Sequence, residues 1–181
     1  MPRLLLINGL PGSGKSTLAA RYVADRPLAL CLDIDVVRGL LGAWMDVPHE
    51  AGLLARRLAL TMARVVLGEG HDVVVPQFLG RAEFIGELEA LAAELGVEFV
   101  EVVLVEEADV AAARLAERAA GPLSPVQRDA HLMLDRAGGL DVVPELHRRL
   151  HGVLADRPGA RRVVPVPGDV EQTYRALLDR L

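Results

Sequence analysis

Short apolar runs alternate with longer amphipathic segments along most of the chain. The apolar runs predict strands at 4–7, 28–32, 72–75, 97–105 and 162–166. The segments between them predict helices at 15–25, 36–44, 50–67, 81–95, 107–120, 127–136, 145–155 and 169–181. Strands that alternate with helices predict an α/β fold with a parallel sheet.

Residues 121–160 depart from this alternation, because they contain helices and turns but no strand. A turn-rich segment at 121–125 opens the region, and a helix is expected to begin near Ser124 with Pro125 at its first position. The pattern fits either a helical lid or a simple helical excursion. Since no linker or internal repeat divides the chain, residues 1–181 are expected to form one domain.

Composition and charge narrow the range of partners. Lys and Arg total 20, Asp and Glu total 25, and the formal net charge is −5. That balance disfavours a protein that binds nucleic acid through an overall positive charge, although it does not exclude binding through a local basic groove. Aromatic residues make up only 3% of the chain, which disfavours a stacking platform for single strands. Nucleic acid is therefore disfavoured as a partner.

Cysteine content and hydropathy predict a cytoplasmic location. Cys31 is the only cysteine, so no internal disulfide is possible and a reducing compartment is expected. No apolar run reaches the roughly 20 residues that cross a bilayer. The N-terminal run is too short for a signal peptide. The five histidines show no metal-ligand spacing, so no zinc site is expected.

Residues 9–16 match G-x-x-x-x-G-K-[ST] at every fixed position, between a predicted strand and a predicted helix. In such a loop the backbone N–H groups converge on phosphate oxygens. Lys15, the only lysine of the chain, is expected to reach the β- and γ-phosphates, and the Ser16 hydroxyl to ligate Mg²⁺. The alternative is a Gly-rich turn that caps a helix. The candidate nucleotide-binding residues here are Gly9, Pro11, Gly12, Ser13, Gly14, Lys15, Ser16 and Thr17.

Two carboxylates, Asp33 and Asp35, follow the second predicted strand, where open α/β sheets bind ligands. One is suited to accept a proton from an attacking hydroxyl, and the other to hold a metal-bound water. If the backbone stays extended, both side chains lie on the same side. Arg38 follows Asp35 by three residues and would share its helical face. The alternative is that Asp35 caps the helix while Asp33 is solvated in a turn.

The third predicted strand is followed by Pro76 and Gln77, where P-loop proteins often carry an Asp for Mg²⁺. A neutral amide is a poor Mg²⁺ ligand. Either the metal relies on Ser16 and Asp33 with phosphates and water, or the protein is not a hydrolysing motor. Gln77 and Arg81 are expected to face the cleft and contact substrate, although Arg81 suits a surface charge equally well.

Three arginines are candidates for a closing lid. Arg114 and Arg118 are four residues apart on one predicted helix, and Arg128 lies beyond the 121–125 break. Guanidinium groups brought onto the triphosphate would neutralise transition-state charge. The alternative is pairing within the helix, with Asp109 and Glu117. Gly168, in the loop after the last strand, is a candidate to hold adenine, although a turn and a helix cap explain that loop without function.

With these residues placed, the chain resembles small P-loop kinases that phosphorylate hydroxyl groups: chloramphenicol phosphotransferase, the zeta-toxin kinases and polynucleotide 5′-kinases. The likeness runs from residue 4 to about 136. Residues 35–38, Asp-Val-Val-Arg, resemble the D-x-x-R stretch of that family. Arg114 and Arg118 match its lid arginines in spacing. Residues 71–75 and 78–80 resemble the third-strand region of the chloramphenicol enzyme, and Pro76-Gln77 is the departure from it.

The resemblance implies a P-loop NTPase three-layer sandwich with a five-stranded parallel sheet in the order 2-3-1-4-5 and a helical lid. It implies Asp35 as general base and Arg38 as a substrate contact. The expected activity is transfer of the γ-phosphate of ATP, with Mg²⁺, to a hydroxyl of a small molecule. Lys15, Asp35 and Arg118 are the candidate catalytic residues.

The motifs do not distinguish between antibiotics, nucleosides, sugars and polyols as the acceptor. If the acceptor is an antibiotic, the protein would confer antibiotic resistance. The oligomeric state stays open too. Two alternative functions remain, a polynucleotide 5′-hydroxyl kinase and a non-catalytic ATP-binding regulatory module. A Ras-type GTP switch is disfavoured, because its N-K-x-D motif cannot occur in a chain whose only Asn is Asn8 and whose only Lys is Lys15.

Overall fold

The computed structural model describes residues 1–181 and contains a five-stranded parallel sheet flanked by helices. The strands are β1 (Arg3–Gly9), β2 (Leu30–Cys31), β3 (Val73–Pro76), β4 (Glu98–Leu104) and β5 (Arg161–Val163). The helices are α1 (Lys15–Ala24), α2 (Ile34–Gly39), α3 (Pro48–Gly68), α4 (Glu83–Leu95), α5 (Ala108–Ala119), α6 (Pro125–Arg136), α7 (Val143–Ala155) and α8 (Val170–Leu178). A 3₁₀ turn, Gly139–Val142, precedes α7.

The strands lie in the order β2-β3-β1-β4-β5, and all four neighbouring pairs are parallel. This order confirms the fold class and topology implied by the resemblance. β1 is central, and from Leu4 to Gly9 every residue is buried. A strand buried on both faces explains why β1 reads as a continuous apolar run.

Alternate residues of the strands serve two apolar cores, one on each face of the sheet. Leu4 and Leu6 of β1 pack with α2, α3 and α4 on one face. Leu5 and Ile7 pack with α1 and α8 on the other. α3 turns a row of alanines inward, which lets this long helix lie close to its neighbours: Ala51, Ala55, Ala59 and Ala63.

Several predicted elements are longer than the observed ones. The helix predicted at 36–44 ends at Gly39, and turns follow up to residue 47. The second strand contains only Leu30 and Cys31. The last strand, predicted at 162–166, ends at Val163, because Pro165 has no N–H to donate to a neighbouring strand.

Helices α6 and α7 occupy the stretch that sequence analysis singled out at 121–160. α7 packs firmly, burying Val143, Leu150 and Leu154 against α5. α6 has no buried residue. Its end is tied to the turn after α2, because Arg136 Nη1 donates a hydrogen bond to the carbonyl of Met45 at 3.2 Å. α6 therefore contacts α2 and the 3₁₀ turn without burying any residue of its own.

No helix in the structure combines the length and apolar character needed to cross a membrane.

Candidate active site

The phosphate loop leaves β1 at the carboxyl end of the sheet and leads directly into α1. Gly14 is the N-cap of α1 and has φ +93°, a left-handed conformation that favours glycine. Gly12 has φ +90°, and a Cβ there would lie 3.0 Å from Leu115 Cγ of α5. The loop thus fits closely against α5, and its following helix presents a positive N-terminal end to an anion.

Lys15 lies at the centre of the charged groups. Its ammonium donates a hydrogen bond to the carbonyl of Leu10 at 2.7 Å. Burial lowers the pKa of Lys15 to about 8, against the opposing effect of carboxylates at Asp35, Asp33 and Glu106. The predicted pair of carboxylates therefore faces the phosphate-binding lysine, and a third carboxylate joins them that sequence analysis missed.

Ser16 and Asp33 form the candidate metal site. Ser16 Oγ donates a hydrogen bond to Asp33 Oδ2 at 3.3 Å, and burial raises the pKa of Asp33, as does the charge of Asp35. A hydroxyl and a carboxylate are oxygen ligands of the kind Mg²⁺ takes. Ser13 Oγ is buried in the same loop without a hydrogen-bond partner. Both observations fit a site that holds Mg²⁺ and phosphates.

The local backbone at this acidic pair differs from both expectations. Asp33 is the N-cap of α2, with φ −81° and ψ 116°, and its Oδ1 accepts a hydrogen bond from the Asp35 N–H at 2.9 Å. Asp35 lies in the first helical turn. The extended arrangement is therefore wrong, and so is the alternative in which Asp35 caps the helix. Side-chain capping by the first carboxylate ends the strand early.

Asp35 is held by Arg38, one turn further along α2. Arg38 Nη2 lies 3.0 Å from Asp35 Oδ1, and its guanidinium stacks on the ring of Trp44 with 4.5 Å to the ring centre. Arg38 Nε is buried without a partner. The pair leaves the second oxygen of Asp35 outside this contact.

Asn8 joins the phosphate loop to the loop after β3. Its side chain is fully buried, and its Oδ1 accepts hydrogen bonds from the N–H groups of Gly9 at 2.8 Å and Leu79 at 2.9 Å. Its Nδ2 donates to the Leu79 carbonyl at 3.1 Å. Asn8 is the only asparagine of the chain, and its sequence context predicted no role for it. Its position immediately before the loop was the available signal.

Gln77 follows β3 beside this link. Its N–H donates a hydrogen bond to the Ile7 carbonyl at 3.1 Å, and its Oε1 is buried without a partner. The structure thus places Gln77 at the same edge of the sheet as the acidic pair. Arg81 is exposed just before α4 and forms no ion pair, so its substrate contact remains a prediction.

A cavity of about 180 Å³ opens beside the phosphate loop and takes in the loop after β5. Gly168 and Arg114 line it together with Thr17, and their contacts with the nucleotide remain predictions. Asp169 caps α8 by accepting a hydrogen bond from the Gln172 N–H at 2.8 Å, so the loop serves both as a helix cap and as a cavity wall. The other lining residues are Ser13, Gly14, Leu18, Pro165, Val166, Asp169, Val170 and Thr173.

The candidate lid arginines have different surroundings. Arg114 Nη1 donates a hydrogen bond to Glu106 Oε2 at 2.8 Å, rather than to the acids of its own helix. Arg118 forms no ion pair, and its charge is near enough to lower the pKa of Lys15. Arg128 is exposed and donates to the Leu123 carbonyl at 3.1 Å. Arg114 and Arg118 therefore border the phosphate loop, whereas the role of Arg128 remains a prediction.

The strand–loop–helix phosphate site, the β2-β3-β1-β4-β5 sheet and the carboxylates after β2 together define a P-loop kinase-like α/β domain. Residues 4–137 match a family described as an AAA domain, and the chain belongs to this family. The specific likeness to chloramphenicol phosphotransferase remains a prediction.

The curated relatives are longer proteins. This chain is 35% identical to an uncharacterized protein of Mycobacterium tuberculosis strain H37Rv and to one of Mycobacterium bovis. Each match extends over 131 residues and covers 66% of this chain. The match spans only 26% of the length of each relative.

Two solved structures share the fold over nearly the whole chain. A protein from Chloroflexus aurantiacus described as a candidate kinase is 19% identical, with a TM-score of 0.64, covering 99% of this chain and 94% of its own. A gluconokinase from Sinorhizobium meliloti is 15% identical, with a TM-score of 0.58, covering 98% and 90%. At these identities the likeness concerns the fold alone.

Proposed function

We propose that the protein is an ATP-dependent kinase that transfers the γ-phosphoryl group to a hydroxyl of a small molecule. The observation that carries this proposal is the position of Asp33 and Asp35. Both carboxylates act on the pKa of Lys15, one contacts Ser16, and the other is held by Arg38. A phosphate-binding lysine, a hydroxyl for a metal and a carboxylate beside them are the groups that phosphoryl transfer to an alcohol needs.

The chain's own residues divide the work of the reaction. The loop backbone and Lys15 bind the β- and γ-phosphates, with Ser16 and Asp33 suited to hold Mg²⁺. Mg²⁺, when bound, neutralises charge on the transferring group. Asp35 orients the acceptor hydroxyl and accepts its proton as the oxygen attacks phosphorus. Arg118 adds positive charge where the transition state spreads its negative charge.

The acceptor side offers polar partners for a hydroxylated molecule. Arg38 Nε and Gln77 Oε1 are a donor and an acceptor that are both buried without partners. Buried polar atoms of this kind require a ligand or water to satisfy them. We propose that these two residues contact the acceptor, with Arg81 and Arg128 as outer contacts. Antibiotics, nucleosides, sugars and polyols all present suitable hydroxyl groups.

The test is incubation with Mg-ATP and a pooled panel of antibiotics, nucleosides, sugars and a 5′-hydroxyl oligonucleotide, read by mass spectrometry. Wild-type protein should add one phosphoryl group to a small molecule. Asp35→Asn should lower the rate about 10²- to 10⁴-fold, because it removes the base. ATP affinity should fall much less than the rate does, because Lys15, Ser16 and the loop backbone, which are proposed to bind the phosphates, are unchanged.

Asp46→Asn is the matched control, since Asp46 is exposed in the neighbouring turn and its rate should stay at the wild-type value. An Asp35→Asn variant that keeps full activity contradicts the role of Asp35. Labelling of the oligonucleotide alone favours a polynucleotide kinase. ATP binding without any transfer favours a regulatory module.

A further inference from the structure

The carboxylate of Glu106 lies beside the phosphate loop and has no part in the reaction described above. It follows β4, whose last residue, Leu104, is paired with Gly9 in the sheet. Only 4% of the Glu106 side chain is exposed. Burial raises the pKa of Glu106, whereas Arg114 and Lys15 lower it. Its ionised form therefore depends on these two cations.

The two oxygens of Glu106 have different surroundings. Oε2 accepts the hydrogen bond from Arg114 Nη1 at 2.8 Å, while Oε1 is buried without a partner. A half-satisfied buried carboxylate opposes folding. Buried ion pairs are in general no more stabilising than well-packed apolar residues of similar size. Stability alone therefore does not explain why a charged pair occupies this place.

The other end of the pair faces the nucleotide cavity. Arg114 lines that cavity together with Ser13, Thr17 and Gly168. It makes no hydrogen bond in the protein other than the one to Glu106. With Nη1 engaged, the remaining N–H groups of the guanidinium are left for a ligand in the cavity.

We propose that Glu106 is a positioning residue, which fixes the guanidinium of Arg114 in the cavity wall so that its remaining N–H groups meet the bound nucleotide. The proposal rests on the proposed function, in that the cavity takes ATP. An arginine side chain loses much rotamer freedom when it is ordered. Ordering it before the ligand arrives removes that loss from the binding step and so strengthens binding.

The test is titration calorimetry of Mg-ATP binding to four variants. Arg114→Ala should weaken binding about tenfold, the size of one charge-assisted hydrogen bond. Glu106→Ala should weaken it by about the same factor, because Arg114 is released. Glu106→Gln should stay within about threefold of wild type, because an amide oxygen still accepts from Arg114. The double variant Glu106→Ala/Arg114→Ala should bind no more weakly than Arg114→Ala alone.

Glu107→Ala is the matched control, since this neighbouring glutamate is exposed, makes no side-chain hydrogen bond and should leave binding unchanged. The double variant guards against misfolding, because it removes both buried charges together. The proposal is overturned if Glu106→Ala binds ATP like wild type, or if the two losses multiply in the double variant. A wild-type protein that does not bind ATP overturns the proposed function as well. A wild-type protein that binds ATP but transfers no phosphoryl group still allows the ATP affinities of the variants to be compared.

Discussion

The two flanks of the phosphate loop are built in different ways. The nucleotide flank, formed by α1, α5 and the loop after β5, encloses a cavity against a tightly fitted backbone, as the close approach of Gly12 to Leu115 shows. The acceptor flank, formed by α2, the turn after it, the loop after β3 and α6, is assembled by side chains that connect separate segments. Asn8 reaches Leu79, and Arg136 reaches Met45.

On the proposed function, each half of the activity belongs to one of these flanks. Phosphate binding depends on a contiguous stretch whose shape is set by its glycines and by the helix that follows. The proposed acceptor side depends on links between residues far apart in the chain, and it includes a helix, α6, that buries none of its residues. We therefore expect the nucleotide flank to keep its conformation when a residue is substituted, and the conformation of the acceptor flank to change more readily.

Removing the buried link between the phosphate loop and the loop after β3 should have the largest effect on stability. Asn8→Ala leaves two N–H groups and one carbonyl, at Gly9 and Leu79, without their partner in a fully buried position. Each such group costs about 1–3 kcal/mol, and partial relaxation reduces the sum to about 2–4 kcal/mol. Urea unfolding followed by circular dichroism measures this loss.

Asn8→Asp serves as the comparison, since it keeps an acceptor for the two N–H groups but loses the donor to the Leu79 carbonyl. At acidic pH, where its carboxyl is protonated, it should fall between wild type and Asn8→Ala, and at neutral pH it should be the least stable of the three, because a charge is then buried without a partner. Equal stability of wild type and Asn8→Ala would show that the two loops do not depend on this link.

An intermediate effect is expected from pH on the nucleotide flank. The pKa of Lys15 in the free protein is about 8, and phosphates favour its charged form, so ATP binding takes up a proton. Affinity should therefore fall about tenfold between pH 7 and pH 9, if the charged form alone binds. Calorimetry in buffers of different ionisation enthalpy measures both the affinity and the proton uptake.

The free protein should show the opposite trend in stability. Because the folded pKa lies below the unfolded value of 10.5, the free energy of unfolding should rise with pH between about 8 and 10.5. Lys15→Met is the control for both measurements, since it has no titrating group there. A variant with the same slopes as wild type would refute the assignment to Lys15.

The smallest effect is expected at the start of α6. Ser124 and Gln127 form a capping box, in which the Ser124 hydroxyl accepts from the Gln127 N–H at 3.3 Å and the Gln127 side chain accepts from the Ser124 N–H at 2.9 Å. Ser124→Ala should destabilise this helix by about 1 kcal/mol. Amide exchange in α6 should quicken about fivefold, with ATP affinity unchanged.

The Ser124→Ala variant also tests whether α6 unfolds separately from the rest of the protein. If Ser124→Ala lowers global stability as much as Asn8→Ala does, α6 is an integral part of the fold rather than a loosely held cover. If exchange quickens only within α6, the acceptor flank opens independently of the core.

The amino-acid pattern alone predicted the alternation of strands and helices, and with it the parallel α/β class. It also located the phosphate loop between β1 and α1, and two carboxylates after β2. These features are local: a buried strand is a short apolar run, and the loop's conformation is dictated by glycines at fixed spacing. The strand order was implied by the resemblance to P-loop kinases, because periodicity does not specify which strands become neighbours.

The tertiary structure decided which distant residues meet. Glu106 has no motif around it, and only the placement of β4 next to β1 brings it to Lys15. Its contact with Arg114, eight residues further along, is made between the loop after β4 and α5. Arg38 stacks on Trp44 because α2 ends early and the chain turns back, which helical periodicity did not predict. A local pattern fixes how a segment folds by itself, whereas contacts between segments depend on which strands pair and which helices pack.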